Sequence, residues 1–218
     1  MKVKFPTNLV EAREFQKSIA VKVSLKDTVR KIKRIGALDV AYKGDIGYAA
    51  GVIYDLEEKE IIEKQTFSER VTSPYIPTFL FLREVPLFLN LVKKFTNDPD
   101  IVFIDGHGIA HPQTAGSATV FGVLWDKSTI GIAKKPLRPF SYEKTKTKNM
   151  DRIFIKDRLV GIRYKVRKDW NPIYISPGNR VSVNTSFEIV KRNMTEKYKL
   201  PYPSQVAHAF SLEAKSIV

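Results

Sequence analysis

The chain has 218 residues, enough for one domain with a substantial core, whereas two full domains would be cramped. Apolar residues make up 43% and charged residues 28%, as in globular proteins, and no apolar run approaches the roughly 18 residues that cross a bilayer. The absence of cysteine excludes disulfides and thiolate metal sites. The start of the chain lacks an apolar signal core, so we expect a cytoplasmic protein.

The net charge is the first functional clue. Lys and Arg number 37 against 23 Asp and Glu, a formal net charge of +14. Such an excess attracts polyanions through their phosphates with little regard to sequence. Charge alone does not separate a nuclease from a passive nucleic-acid binder, or from a protein whose charge only aids solubility.

The predicted elements begin with a helix after Asn8 and end with a helix from about Ser204. Strands are predicted at 34–42, 46–57, 61–71, 101–104, 129–137, 159–166 and 173–176. Further helices are predicted over 78–95, over 114–126, and after Ser182, which can cap the helix that follows it. The strand at 101–104, "IVFI", is apolar without alternation, which indicates a central position.

The stretch 134–152 differs from the rest in having little periodicity. It carries seven Lys or Arg against two acids, which indicates either a solvated loop or a flap that faces nucleic acid. Elsewhere, three meandering strands are followed by alternating helices and strands. This order predicts an α/β fold with a mixed β-sheet flanked by helices, the order of the ribonuclease-H-like fold, in a single domain over 1–218.

Three acids occupy positions where an apolar residue is expected. Asp39 lies inside "GALDVAY", Glu84 inside "FLFLREVPLF", and Asp105 ends the "IVFI" strand. A buried charge costs several kcal/mol unless it is paired or binds a metal, and carboxylate oxygens suit a hard ion such as Mg²⁺. The alternative is that Arg83 pairs with one acid and that the others lie on the surface.

Six motifs follow one another along nearly the whole chain. They are "DVAY" at 39–42, "SPYIPTFLFLRE" at 73–84, "DGHGIAHP" at 105–112, "GIAKKPL" at 131–137, "SPGNRVS" at 176–182 and "AH" at 207–208. In this order they resemble the motifs of the endonuclease V family. The resemblance implies a ribonuclease-H-like fold and a Mg²⁺-dependent nuclease, with Mn²⁺ able to substitute. Such a nuclease recognises deoxyinosine in DNA and cuts the second phosphodiester bond 3′ to it, leaving 3′-hydroxyl and 5′-phosphate ends.

The resemblance also implies residue roles. The metal-binding catalytic acids would be Asp39, Glu84 and Asp105, with Lys134 and His208 as further catalytic residues. A wedge that enters the duplex at the lesion would consist of Pro74, Tyr75, Ile76 and Pro77. The pocket for the base would be lined by Leu80, Gly106, Gly108, Ile109 and His111.

The chemistry of the loop "DGHGIAHP" agrees with a base pocket. Hypoxanthine presents an O6 acceptor and an N1–H donor, whereas adenine presents the opposite pair, so a peptide N–H and a peptide C=O accept the first and refuse the second. Gly106 and Gly108 would let peptide groups approach, Ile109 and Ala110 would be apolar walls, and His111 would fix the loop or contact a phosphate. The alternative is a glycine-rich turn needed only for packing.

"PYIP" is the second motif with a physical interpretation. Pro74 and Pro77 stiffen a short loop, so Tyr75 and Ile76 can project at little entropic cost and fill the gap left by an extruded base. The alternative is an ordinary turn whose tyrosine packs on the core.

Three positions depart from the family pattern. Gln113 and Gln205 stand where arginine is usual, and Asn179 stands where histidine is common, which puts the fine substrate preference in doubt. Two other functions stay open: the same catalyst directed at inosine-containing RNA, and a non-catalytic module that binds nucleic acid. No exposed apolar stripe stands out in the sequence, so a monomer is expected.

Overall fold

The computed structural model of the protein describes residues 3–137, 140–147 and 149–216. Its strands are β1 (Arg34–Lys43), β2 (Ile46–Asp55), β3 (Glu60–Arg70), β4 (Ile101–Asp105), β5 (Ser128–Ala133), β6 (Ser141–Lys144), β7 (Met150–Ile155), β8 (Arg158–Tyr164) and β9 (Ile173–Asn179). Its α-helices are α1 (Leu9–Ala20), α2 (Phe81–Leu91), α3 (Ser117–Trp125), α4 (Val183–Arg192) and α5 (Tyr202–Ser216), with a short 3₁₀ turn, Val92–Lys94, directly after α2.

The strands of the described chain form one sheet in the order β3-β2-β1-β4-β5-β9-β8-β7-β6. Strand β4 pairs in parallel with both β1 and β5, and the remaining pairs are antiparallel. The predicted α/β class, a ribonuclease-H-like mixed sheet flanked by helices, is therefore confirmed. So is the central place of "IVFI", whose four residues are at most 1% exposed.

Alternate residues of the central strands pack on opposite faces of the sheet, as the two-residue period of a strand requires. Val102 and Ile104 of β4 join the core that lies against α1, α2 and α3. Ile101 and Phe103 of the same strand join the second core, which lies against α4 and α5. The sheet is thus covered on both faces, and the carboxyl ends of β1 and β4 lie between α2 on one side and α5 on the other.

The helix starts follow local capping. Asn8 accepts a hydrogen bond from the Glu11 N–H at the start of α1, and Ser182 accepts one from the Thr185 N–H at the start of α4. The predicted cap at Ser182 is confirmed. None of the helices in the described part of the chain has the length and apolar character that crossing a bilayer requires.

The interpretation of 134–152 as a loop is wrong for 141–144 and 150–152. That stretch contains all of β6 and the beginning of β7, which pair with each other at one edge of the sheet. The four residues of β6 are all exposed, so backbone hydrogen bonds hold this strand without leaving an apolar pattern in the sequence. Arg138, Pro139 and Lys148, which belong to the predicted flap, lie outside the described residues.

We predict that Gly122→Ala destabilises the protein, although alanine normally stabilises a helix by about 1 kcal/mol over glycine. A Cβ at Gly122 in α3 would lie 2.2 Å from Thr129 Oγ1 and 2.9 Å from Asn179 Cβ, both buried. We expect a loss of roughly 2–3 kcal/mol in the free energy of unfolding, measured with urea.

Gly44→Ala is the control for this substitution. A Cβ at Gly44 would meet no atom within 4 Å, and only the positive φ of +60° opposes it, so we expect a loss of about 1 kcal/mol. A stability of Gly122→Ala equal to or above the wild type would contradict the close packing of α3 on β5 and β9.

Candidate active site

Asp39 is a buried carboxylate held by α5. It lies in β1 and is 6% exposed, and its Oδ2 accepts hydrogen bonds from Ser211 Oγ at 2.7 Å and from His208 Nδ1 at 2.9 Å. Burial by itself raises the pKa of Asp39, but the hydrogen bonds from His208 and Ser211 outweigh burial, so this pKa lies below its ordinary value. Asp39 is therefore a carboxylate anion at neutral pH.

Asp105 ends β4 beside Asp39. The register of the parallel pair matches Leu38 with Ile104, so the next residue on each strand is an aspartate at the same end of the sheet. Burial, with the negative charge of Asp39 second, raises the pKa of Asp105 to about 6. Lys134, one residue beyond β5, opposes this rise: its Nζ lies 2.5 Å from Asp105 Oδ2.

Glu84 approaches the same place from α2. It is 7% exposed, and its Oε2 has no hydrogen-bond partner among the described residues. A Cβ built on Gly106, the residue after Asp105, would lie 4.0 Å from this oxygen. Burial, followed by the negative charge of Asp105, raises the pKa of Glu84 well above its ordinary value. Glu84 is thus a carboxyl group that packing holds beside another acid without a compensating partner.

Arg83 does not neutralise any of these acids by an ion pair in the described chain. Its Nη1 donates instead to the carbonyl of Ser73, and its guanidinium lies 4.5 Å from the centre of the Tyr42 ring. The alternative in which Arg83 pairs with one of the three acids is therefore wrong.

The donors at this centre suit a divalent cation. Asp39, Asp105 and His208 each offer one ligand atom, and these three atoms lie within 4.8 Å of one another. Glu84 is outside that group, but the negative charges of Asp105 and Asp39 contribute to its raised pKa, so a third carboxyl group lies near the first two. Carboxylate oxygens in such surplus fit a hard cation, which relieves the mutual repulsion of the acids.

A cavity of about 90 Å³ opens beside the acids. Of the residues predicted to form the base pocket or the wedge, it is lined by Tyr75, Pro77, Leu80, Gly106 and His111. The other lining residues are Thr78, Phe81, His107, Gly116, Ser117 and Leu137. At Gly106 φ is +153°, and a Cβ there would have Ser117 Cβ as its nearest atom, 3.5 Å away, so the Gly106 backbone faces this cavity without crowding.

Gly108 and Ile109 do not line this cavity. The Gly108 N–H donates to Ser176 Oγ at 2.8 Å, and a Cβ there would lie 2.1 Å from the carbonyl oxygen of Pro177. Ile109 and Ala110 are fully buried in a core cluster on the side of β7–β9. Gly108 is therefore glycine because the loop packs against β9, which is the packing alternative that the sequence left open.

Three side chains hold the wedge segment, residues 74–77, at its two ends. Before it, Arg83 binds the carbonyl of Ser73. After it, the carbonyl of Thr78 accepts hydrogen bonds from Gln16 Nε2 at 3.0 Å and from His111 Nε2 at 2.9 Å. Thr78 has a φ of +74°, a strained value for a β-branched residue that persists only when the surroundings fix it. Sequence reasoning missed Gln16, which looks like one polar residue of an amphipathic helix.

Gln16 connects the wedge segment to the loop after β4. It is fully buried, and its Nε2 also donates to the carbonyl of Ala115 at 2.8 Å. At the tip of the segment Tyr75 is 68% exposed, so the alternative in which this tyrosine packs on the core is wrong. The segment is an exposed tyrosine on a backbone fixed at both ends.

The departures from the family pattern lie in different surroundings. Asn179 is 3% exposed; its Nδ2 donates to the carbonyl of Gly122 at 3.1 Å, and its Oδ1 accepts from the Ser24 N–H at 3.1 Å. Asn179 therefore ties β9 to α3 and to the segment after α1. Gln205 lies on the half-buried side of α5, and Gln113 donates its backbone N–H to His111 Nδ1 at 3.1 Å.

The fold and this centre define a class: a ribonuclease-H-like α/β protein with clustered acids at the carboxyl ends of two central parallel strands. A family model described as Endonuclease V matches residues 17–209. The endonuclease V of Thermosipho melanesiensis is 38% identical over 203 residues, which are 92% of this chain and 88% of that protein.

Two solved structures extend this likeness. The endonuclease V of Bacillus subtilis matches with a TM-score of 0.90 and 27% identity over 99% of this chain and 95% of its own. The endonuclease V of Ciona intestinalis, solved with a 24mer DNA containing an inosine followed by a ribo-adenosine, matches with a TM-score of 0.84 and 25% identity over 96% of this chain and 98% of its own. The chain belongs to the endonuclease V family, and it is a nuclease, hence a hydrolase.

We predict that His111 makes the protein sensitive to acid. Burial lowers the pKa of His111 to about 4 from the ordinary value of 6.5. Because the unfolded chain takes up this proton at a higher pH than the folded one, stability is lost as the pH falls from about 6.5 to about 4. In His111→Gln, the difference in unfolding free energy between pH 7 and pH 4.5 should shrink by roughly 2 kcal/mol, measured with urea. An equal loss of stability at both pH values would show a packing defect and contradict the prediction.

Proposed function

We propose that the protein is a Mg²⁺-dependent endonuclease for DNA repair that recognises deoxyinosine. It hydrolyses the second phosphodiester bond 3′ to that nucleotide, leaving 3′-hydroxyl and 5′-phosphate ends, and Mn²⁺ can replace Mg²⁺. It acts as a monomer with a single catalytic domain over 1–218. The observation that supports the proposal is the cluster of Asp39, Asp105 and His208, with Glu84 near it, beside a cavity that is lined by Tyr75 and Pro77.

The substrate follows from three supports. The relative from Ciona intestinalis was solved with inosine-containing DNA. A net charge of +14 attracts the phosphate backbone. The cavity is lined by Gly106, which has no side chain to fill the space of an extruded base, and a deaminated mispair is already weakly held, which lowers the cost of extrusion.

The acids prepare the reaction by concentrating negative charge. Asp39, Glu84 and Asp105 would hold the cation, which supplies positive charge to the phosphate and acidifies water when it is bound. The hydrogen bonds of Asp39 with Ser211 and His208 keep that carboxylate ionised and fix its direction. Asp39 is therefore ready to bind at neutral pH, and Asp105, with a pKa of about 6, is mostly ionised there too, whereas Glu84 must release a proton.

Lys134 and His208 act on the phosphate and on the proton. The Lys134 ammonium lies 2.5 Å from Asp105 and 3.5 Å from His208 Nδ1, and we assign it the stabilisation of negative charge on the phosphate oxygens in the transition state. His208 Nδ1 lies 2.9 Å from Asp39 Oδ2, and we assign His208 the acceptance of a proton from the attacking water. Oxygen of that water bonds to phosphorus, the P–O3′ bond breaks, and the departing 3′ oxygen takes up a proton.

The wedge makes the lesion accessible. Insertion of Tyr75 fills the space that the extruded base leaves, and so offsets an unstacking cost of a few kcal/mol. The hydrogen bonds of Arg83, Gln16 and His111 hold the segment in place before DNA arrives, so little conformational entropy is lost on binding.

The decisive experiment maps the products of a duplex that carries one inosine in the presence of Mg²⁺. We predict cleavage at the second phosphodiester bond 3′ to the inosine, its abolition by a chelator, and a loss of at least 10³-fold in Asp105→Ala with DNA binding retained. Asp98→Ala removes another acid, one that pairs with Lys127 at the surface, and should leave cleavage unchanged. Undiminished cleavage by Asp105→Ala would refute the assignment of the metal site.

The choice of nucleic acid is tested in the same assay. The DNA bound to the Ciona relative carries a ribo-adenosine after the inosine, so an inosine-containing RNA is the second candidate substrate. Cleavage of deoxyinosine and inosine oligonucleotides is compared side by side. A higher kcat/KM on the RNA would replace DNA repair with RNA processing as the function. Binding without cleavage of either would leave only a nucleic-acid-binding module.

We predict that Tyr75→Ala weakens the affinity for inosine-containing duplex roughly ten-fold, and the affinity for undamaged duplex much less. The side chain is exposed and makes no core contact that its removal would disturb. Fluorescence anisotropy on the two duplexes measures the ratio of the affinities. Equal losses on both duplexes would remove the wedge from the mechanism.

A further inference from the structure

The wedge segment divides two cavities. Tyr75 and Pro77 line the cavity of about 90 Å³ beside the acids, whereas Pro74 and Ile76 line a cleft of about 690 Å³. Within the described chain the two cavities have no lining residue in common. Alternate residues of one short segment therefore face different spaces, and only the smaller space adjoins the acids.

The larger cleft, which we call the outer cleft, is built by three parts of the chain. Residues 5–9, before and at the start of α1, form one side. Residues 69–74, at the end of β3 and after it, form the second side, and α2 forms the third. Its apolar lining residues include Phe5, Pro6, Leu9, Ile76, Leu82 and Pro86. A space of this size is typical of small-molecule sites and admits one nucleotide with room for its backbone.

The charges that line the outer cleft suit a polyanion. Arg70 and Arg83 line it together with one acid, Glu69, so the formal charge of the lining is 2 − 1 = +1. The ion pair of Arg70 with Asp45 is exposed on both sides, and such pairs contribute little, so the Arg70 guanidinium can exchange this partner for a phosphate.

We propose that the outer cleft binds the unpaired nucleotide of the complementary strand, the one that faces the extruded base; this inference rests on the proposed function. Extrusion of a base into the small cavity leaves its partner without hydrogen bonds and with an apolar face exposed to water. An apolar surface that accepts such a base stabilises it, without dependence on the identity of the base.

The position of the cleft fixes which strand it serves. The wedge separates the two DNA strands. The strand that is cut lies on the side of the wedge that faces the acids. The opposite side is continuous with the outer cleft through Pro74 and Ile76, so a nucleotide displaced to that side belongs to the other strand. A single-stranded substrate has no complementary nucleotide, so its cleavage does not use the outer cleft.

The test places a negative charge in the cleft and compares duplex with single-stranded DNA. Leu9 lines the cleft and is 43% exposed, so Leu9→Glu should fold. Val10→Glu is the matched control, because Val10 is the next residue of the same helix, is 74% exposed and does not line the cleft. Both variants place the same charge in the first turn of α1, where an acid is equally acceptable to the helix.

We expect Leu9→Glu to lower kcat/KM on an inosine-containing duplex at least ten-fold, and to leave kcat/KM on the single-stranded oligonucleotide of the same sequence within two-fold of the wild type. Val10→Glu should leave both values unchanged. An equal loss on both substrates, no loss on the duplex, or the same selective loss in Val10→Glu would overturn the proposal.

A second measurement removes the nucleobase instead of changing the protein. An abasic site opposite the inosine frees the inosine from its partner and helps extrusion in every variant. With this substrate the wild type also loses the contact of the opposite base in the outer cleft, a contact that Leu9→Glu already lacks. The gain in affinity caused by the abasic site should therefore be at least three-fold smaller for the wild type than for Leu9→Glu. Equal gains would contradict the proposal. If the wild type cleaves neither inosine substrate, the proposed function itself fails. If the wild type cleaves them and the variants respond alike, only the role of the outer cleft fails.

Discussion

The structure depends on packing that holds three carboxyl groups close together against their electrostatic repulsion. Asp39, Glu84 and Asp105 come from two parallel strands and a facing helix; Asp39 and Glu84 are buried, and Asp105 is half-buried. The repulsion is reduced in a different way at each carboxyl group. Asp39 is hydrogen-bonded and ionised, Asp105 is balanced by Lys134, and Glu84 has no partner at its buried oxygen. A cation that enters this centre therefore meets acids whose arrangement is already complete, and most of the cost of bringing them together is met by the folding of the sheet.

The wedge shows the same preorganisation with neutral groups. Gln16, Arg83 and His111 use hydrogen bonds to backbone carbonyls, not to side chains, so they fix the path of the chain and leave Tyr75 free to contact DNA. The buried amide of Gln16 also bonds the loop that follows the catalytic strand. The segment 74–77 and the loop beside the acids are thus attached to one helix, and α1 keeps the distance between them.

Much of the fold and of the centre could be predicted from the sequence, because the informative residues break a local rule. An acid in "GALDVAY" or after "IVFI" conflicts with the apolar pattern around it, and that conflict marked Asp39 and Asp105. The apolar run of β4 likewise indicated its central place. The order of helices and strands along the chain indicated the ribonuclease-H-like fold, and the shared role of acids distant in sequence followed from the resemblance of the motifs.

The features that were missed have no such local signal. Strand β6 is held by backbone hydrogen bonds at an exposed edge, and Gln16 and Ser211 look like ordinary polar residues of helices until their distant partners are known. Gly108 and Ile109 were placed in the pocket because they share a motif with Gly106. The chain turns sharply there, so Gly106 faces the cavity, whereas Ile109, three residues later, faces the core of β7–β9.

The exposed strand β6 has a consequence for solubility. A sheet of nine strands must end somewhere, and an unpaired strand edge is a template on which another molecule can add. Here one margin is a strand of only four residues, "SYEK", which carries both an acid and a lysine, and the other margin, β3, is studded with Glu, Lys and Arg. Neither margin offers a long apolar ribbon. Both margins therefore disfavour the addition of a second copy of the chain sheet to sheet.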